Sequence, residues 1–258
     1  MSRGAASLLV VAATLAATAA VAAAEHRRYA VIVATATDPD GKLEPLQYAD
    51  DDGARYHELF AHVADVTRLY TVLDAESQRV FPAVARVAQV PRRADVLARL
   101  DATFAAIDAD VAAGHQVTFY FVLIGHGKIG DGGEGHVGLL DGAFTRTDLF
   151  QRVLARSRAT TNHVIVDACN PYFLVHRRGG GAPDTGPSRR AAVADFVARE
   201  DLARYPNTGI LLATSTEKET HEWSVYRGGV FSHQLRSALV GGAGVNGDGE
   251  IAYSEVEA

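Results

Sequence analysis

The run VTFYFVLI at residues 117–124 shows no alternation of apolar and polar side chains. A strand of that kind is covered on both faces, so it belongs in the middle of a sheet packed between helices. Shorter runs of similar character at 29–35 (YAVIVAT), 66–73, 163–166 and 209–215 read as further strands, with a brief one at 136–140. Helical periodicity fills the intervals. Residues 93–113 carry Val96, Leu97, Leu100, Phe104, Ile107 and Val111 near helical spacing, and Gly114 ends the segment. Residues 47–63 do the same with Ala49, Gly53, Tyr56 and Phe60, and Asp50, Asp51 and Asp52 fall in the first turns, where the helix dipole favours acids. Further helices are expected at 147–155, at 191–203 and from Val230 onward. Strands alternating with helices predict an α/β fold of three layers, with a mostly parallel central sheet.

The chain has 258 residues, 48% of them hydrophobic and 22% charged, enough for one packed domain. Its formal charge is −6, its only lysines are Lys42, Lys128 and Lys218, and its arginines are scattered among acids. No basic stripe exists to track phosphates, so nucleic acid is excluded as a partner. Cys169 is the only cysteine, which excludes an internal disulfide.

Residues 1–24 hold one charge, Arg3, then an Ala/Leu/Val run ending in small residues. That pattern predicts a secretory signal cleaved after Ala24, leaving a domain over 25–258, exported to a periplasm or beyond. The alternative is an uncleaved anchor, and no other membrane association is expected. A lone thiol in an oxidising compartment is either reactive or intermolecular.

Two strands end in chemistry. One runs into Gly125-His126-Gly127, the other into Asp167-Ala168-Cys169. Ligands in such sheets gather at the carboxyl ends of strands. If these two strands are neighbours, an imidazole and a thiol meet at one edge, as covalent catalysis requires. The glycines beside His126 let backbone N–H groups approach a substrate carbonyl. The plainer alternative is an inert buried cysteine.

These strand ends resemble the His-Gly and Asp-x-Cys motifs of caspases and their bacterial relatives, the metacaspases among them. Leu46-Gln47-Tyr48-Ala49 with Asp52-Gly53-Ala54 resembles the family's first helix start, and Gly228-Gly229-Val230-Phe231-Ser232 its segment before the last helix. The resemblance implies a caspase-like α/β/α sandwich and a cysteine endopeptidase. Cys169 would be the nucleophile and His126 the general acid/base, with the Gly127 and Cys169 N–H groups as the oxyanion hole. It also implies Asp52 and Asp167 as substrate-binding acids selecting Arg or Lys, by likeness to metacaspases. The chain departs from the family after the cysteine, where it reads Asn170-Pro171-Tyr172. A weak pseudopeptidase or a secreted binding module is the alternative function.

Residues 176–190 (HRRGGGAPDTGPSRR) form the one linker-like stretch of the mature chain, placed where caspase relatives join their two subunits. Its Arg177, Arg178, Arg189 and Arg190 are expected sites of self-cleavage. Gly125-His126-Gly127-Lys128-Ile129-Gly130 matches a dinucleotide fingerprint, but the acidic glycine run behind it cannot open a helix. Residues 244–255 resemble a degenerate EF-hand loop with Gly244 where the first carboxylate belongs. A solvated turn is expected there, with Ca2+ as the alternative; no cofactor is required, and the partner is a protein or peptide substrate.

Overall fold

A computed structural model describes residues 24–130, 133–168, 200–213, 222–242, 244, 246–248 and 251–256. Five parallel strands form its centre: β1 (His26–Ala34), β2 (Val66–Tyr70), β3 (Gln116–Gly125), β7 (Thr161–Ala168) and β8 (Thr208–Leu212), in the order β2-β1-β3-β7-β8. The apolar run at 117–124 is the core of β3, the middle strand, as its lack of alternation requires.

Side chains of period two divide the interior into two cores. Val31, Val33, Phe119, Phe121 and Leu123 face α4 (Arg93–Ala112), which presents Val96, Leu100, Phe104 and Ile107. Ala30, Ile32, Val122 and Ile124 face the other way, against Ala54, Tyr56 and Phe60 of α1 (Ala49–Val63). Leu235 of the last long helix, Val230–Ser237, joins that second core. The protein is therefore a three-layer α/β/α sandwich. Each fully buried Phe or Leu contributes about 1.5–3 kcal/mol, so both layers are held by their apolar faces.

The chain leaves β1 toward β2 at one edge and then returns past β1 to β3. The connections from β1 and β3 thus diverge, which makes the crevice between their carboxyl ends the switch point of the sheet.

Local departures from the sequence expectation have physical reasons. Strand β2 stops at Tyr70 because Thr71 turns its N–H to Gln89, and Val72 is exposed. Two short helices follow, Ala75–Val80 and Pro82–Ala85, the first capped by the Asp74 carboxylate. The glycine-rich stretch after β3 is not all loop: β4 (Gly127–Ile129) pairs antiparallel with β5 (Gly135–Leu139), which pairs with β6 (Gly142–Thr145). The helix expected at 147–155 begins at Arg146 on a Thr145–Asp148 capping box and runs on as a π-helix over Leu149–Leu154. Arg93 fastens this corner through two bonds to Asp148, at 2.7 and 2.8 Å. Of the signal segment expected over 1–24 only Ala24 is described, the expected linker 176–190 lies outside the described residues, and of the expected helix 191–203 only Glu200–Ala203 is described. Among the described residues no helix is long and apolar enough to cross a membrane.

Candidate active site

Strands β3 and β7 are parallel neighbours, and their last register pair is Gly125 with Ala168. At Gly125 the chain adopts φ +156°, and a Cβ there would lie 2.5 Å from Thr35 Oγ1. Only glycine makes this exit from the sheet. His126 comes next and is buried, with Nε2 2.9 Å from the carbonyl oxygen of Glu44. A carbonyl only accepts, so Nε2 carries the proton and Nδ1 remains as the acceptor of the neutral ring. Glu44 sits in the connection leaving β1, so this hydrogen bond bridges the switch point.

Gly127 faces Val137 across the β4–β5 ladder. The Gly138 N–H donates to the His126 carbonyl at 3.0 Å. That phase makes Gly127 and Val137 a non-hydrogen-bonded pair, whose own N–H groups turn away from the partner strand. The Gly127 amide is thereby free of this ladder. Cys169, expected as nucleophile and second oxyanion donor, follows Ala168 and lies outside the described residues.

Asp52 and Asp167 do come together. Both are buried, and both approach Gly229, where a Cβ would lie 2.9 Å from Asp167 Oδ2 and 3.2 Å from Asp52 Oδ2. Asp52 accepts the Gly229 N–H at 2.6 Å and Arg236 Nη1 at 2.7 Å, with Arg55 3.6 Å away. Asp167 accepts the Ser232 hydroxyl on Oδ2, while its buried Oδ1 has no hydrogen-bond partner among the described residues. Burial raises the Asp167 carboxyl to about 6, opposed by Ser232 and assisted by the Asp52 charge. Burial also pushes Asp52 upward, against the pull of Arg236. Together with Leu46, Gly125 and Glu222 the two acids line a cavity of about 20 Å³, room for roughly one water.

The aspartate triplet at the start of α1 is more than a dipole partner. Asp50 accepts the Asp74 N–H at 2.9 Å, Asp51 the Ser77 hydroxyl at 2.8 Å, and Asp52 the Arg236 guanidinium. Burial raises Asp51 as well. Sequence reasoning missed Arg236, Glu222 and the Glu44 carbonyl. Arg236 was within reach: it lies four residues past Ser232, hence on the same helix face as a residue the family likeness already marked.

At the EF-hand-like turn, Asn246 and Asp248 bond each other, at 2.8 and 3.0 Å, and Glu255 accepts the Ala252 N–H at 2.8 Å. Among the described residues no three His, Cys, Asp or Glu side chains are grouped to hold a metal ion.

No protein-family model and no curated protein sequence matches the chain. Solved structures that it resembles include a Geobacter sulfurreducens protein, at 16% identity and TM-score 0.49, with 90% of this chain and 86% of that one covered. Another is pro-sf-caspase-1, at 14% identity and TM-score 0.46, with 84% of this chain and 71% of that one covered.

Proposed function

We propose that the protein is an exported caspase-like cysteine endopeptidase. The observation that carries this reading is the His126–Glu44 bond, which leaves Nδ1 as the base at the end of β3, beside the strand that leads to Cys169. In this mechanism the Cys169 thiol gives its proton to His126 Nδ1, and the sulfur forms a bond to the scissile carbonyl carbon. The carbonyl oxygen takes up negative charge, held by the Gly127 and Cys169 N–H groups. Collapse of this adduct breaks the C–N bond, and the imidazolium returns the proton to the departing amine. Water, deprotonated by the same ring, then releases the acid from the thioester and restores the thiol.

The acyl-side residue is Arg or Lys. Asp167 supports this choice, because its Oδ1, which has no hydrogen-bond partner among the described residues, is an acceptor for a charge-assisted hydrogen bond. Asp52 is already engaged by Arg236, so Asp167 carries the larger share of recognition.

Alkylation tests the assignment. Cys169 of an active dyad reacts with a peptidyl electrophile far faster than free cysteine, and His126→Ala removes the acceleration. Equal rates in both proteins would leave a pseudopeptidase, and a disulfide-linked dimer on non-reducing gels would mark a binding module.

A further inference from the structure

Lys128 lies two residues beyond His126 on β4, and its ammonium reaches back over the switch point to the connection that follows β1. There it pairs with Asp38, whose side chain is fully buried, and with Asp40 at 3.2 Å. Asp38 is the hub of that connection. Its Oδ2 accepts the N–H groups of Lys42 at 2.8 Å and Leu43 at 3.0 Å, and its Oδ1 accepts that of Asp40 at 3.4 Å. The residue after Leu43 is Glu44, whose carbonyl holds the His126 ring.

One carboxylate thus fixes the backbone up to the carbonyl that orients the imidazole, and its counter-ion rides on the short strand that the imidazole opens. The loop is closed at its base by the Leu46 N–H to Ala36 at 2.8 Å, and Thr35 ties its start to the Gly138 carbonyl at 2.6 Å. Gly138 is also the residue whose N–H holds the His126 carbonyl. Ring and ring-holder are therefore fastened to the same hairpin from two sides.

We propose that Asp38 and Lys128 are positioning residues that set the tautomer and orientation of His126. A plain loop staple would need only the Asp38 turn. Lys128 links that turn to the strand that directly follows the imidazole, so the Glu44 carbonyl cannot drift without breaking a shielded ion pair. Burial opposes the charge on Asp38, but the Lys128 ammonium and the three N–H groups outweigh it and hold the carboxyl well below its usual range. The clasp is therefore charged throughout the neutral range. The catalytic consequence rests on the reading of His126 as the general base; the tautomer does not.

The test uses the full chain with isotope-labelled histidine. Long-range nitrogen–proton spectra should show His126 of the wild type as a single Nε2–H tautomer with a slowly exchanging ring proton. In Asp38→Ala and Lys128→Met the ring should become a mixture of tautomers, and its proton should exchange at least about tenfold faster as the opening free energy falls. Lys128→Arg, which restores the ion pair, should return the wild-type signals. With a peptide reporter, kcat should fall about tenfold in both disrupting variants while KM stays near the wild-type value. If Asp38→Ala does not fold, the partly exposed Lys128 decides through Lys128→Met. A folded Lys128→Met with unchanged tautomer and exchange overturns the clasp, and so does a wild-type ring that is not Nε2–H. Should wild-type Cys169 alkylate no faster than free cysteine, the peptidase reading fails while the spectra still decide the clasp.

Discussion

Asp52 and Arg236 form an ion pair 2.7 Å long in which both side chains are nearly shut off from water. Removing one partner strands the other charge, which costs about 3–5 kcal/mol in such settings. Arg236→Met should therefore lower the unfolding free energy by about that amount in urea titrations near neutral pH. Asp52→Asn in the same chain should recover most of the loss, since the stranded group is then neutral. An unaltered midpoint in Arg236→Met would show that the pair is worth no more than one on the surface.

Asp167 gives the fold a pH dependence of defined sign. Its folded value of about 6 lies above the unfolded value of about 3.9, so the native state binds the extra proton between them. Stability should fall as pH rises through that window, by at most about 3 kcal/mol for this group at 1.36 kcal/mol per unit. Asp167→Asn should remove the slope, being more stable than the wild type at about pH 8 and indistinguishable from it at about pH 3. Denaturation midpoints measured across that range check both the direction and the window.

Gly125→Ala should destabilise the protein by about 1–3 kcal/mol, from the strained backbone together with the displaced Thr35 hydroxyl. Thr35 cannot yield cheaply, because its hydroxyl is bonded to the Gly138 carbonyl. The same variant should lose peptide hydrolysis out of proportion to its stability, since His126 is the next residue. Thermal melts and reporter assays on one preparation separate the two effects.

Reporters ending in Arg should outrun those ending in Asp. Loss of a charge-assisted hydrogen bond of about 1.5–3 kcal/mol makes the expected fall in kcat/KM for Asp167→Asn about 10- to 100-fold with an Arg reporter. The same preference predicts that the wild type nicks itself after Arg177, Arg178, Arg189 or Arg190, whereas Cys169→Ala stays whole. Mass spectrometry of the new ends checks the positions. Asp reporters winning would reverse the specificity.

Much of the frame was legible because buried strands advertise themselves. The apolar runs that became β1, β3 and β7 and the repeat that became α4 all lie where their periodicity put them. The neighbouring of β3 and β7, left open by the sequence, is what brings Gly125 opposite Ala168. Strand β4 escaped notice because three residues led by glycine carry too little side chain to show a period. The Glu44 carbonyl escaped because a backbone oxygen has no sequence signature at all. Periodicity explains Asp50, Asp51 and Asp52 as a dipole effect, since a helix start accounts for acids without requiring burial, and only the family resemblance singles out Asp52. Their separate partners come from Asp74, Ser77 and Arg236, and only the tertiary fold brings these near.

The partners of Asp52 have a consequence for how the molecule is made. Synthesis delivers α1 and β7 long before it delivers Arg236, which stands 184 positions after Asp52. Until then the growing chain has two interior carboxylates, only the more distant Arg55 to offset Asp52, and neither the Gly229 amide nor the Ser232 hydroxyl to receive them. Domains fold from the N-terminus as they emerge, but this one cannot close its interior until its last long helix arrives. The surroundings of Asp52 and Asp167 are therefore assembled at the end of folding, and a nascent chain stopped short of Val230–Ser237 lacks the groups that complete them.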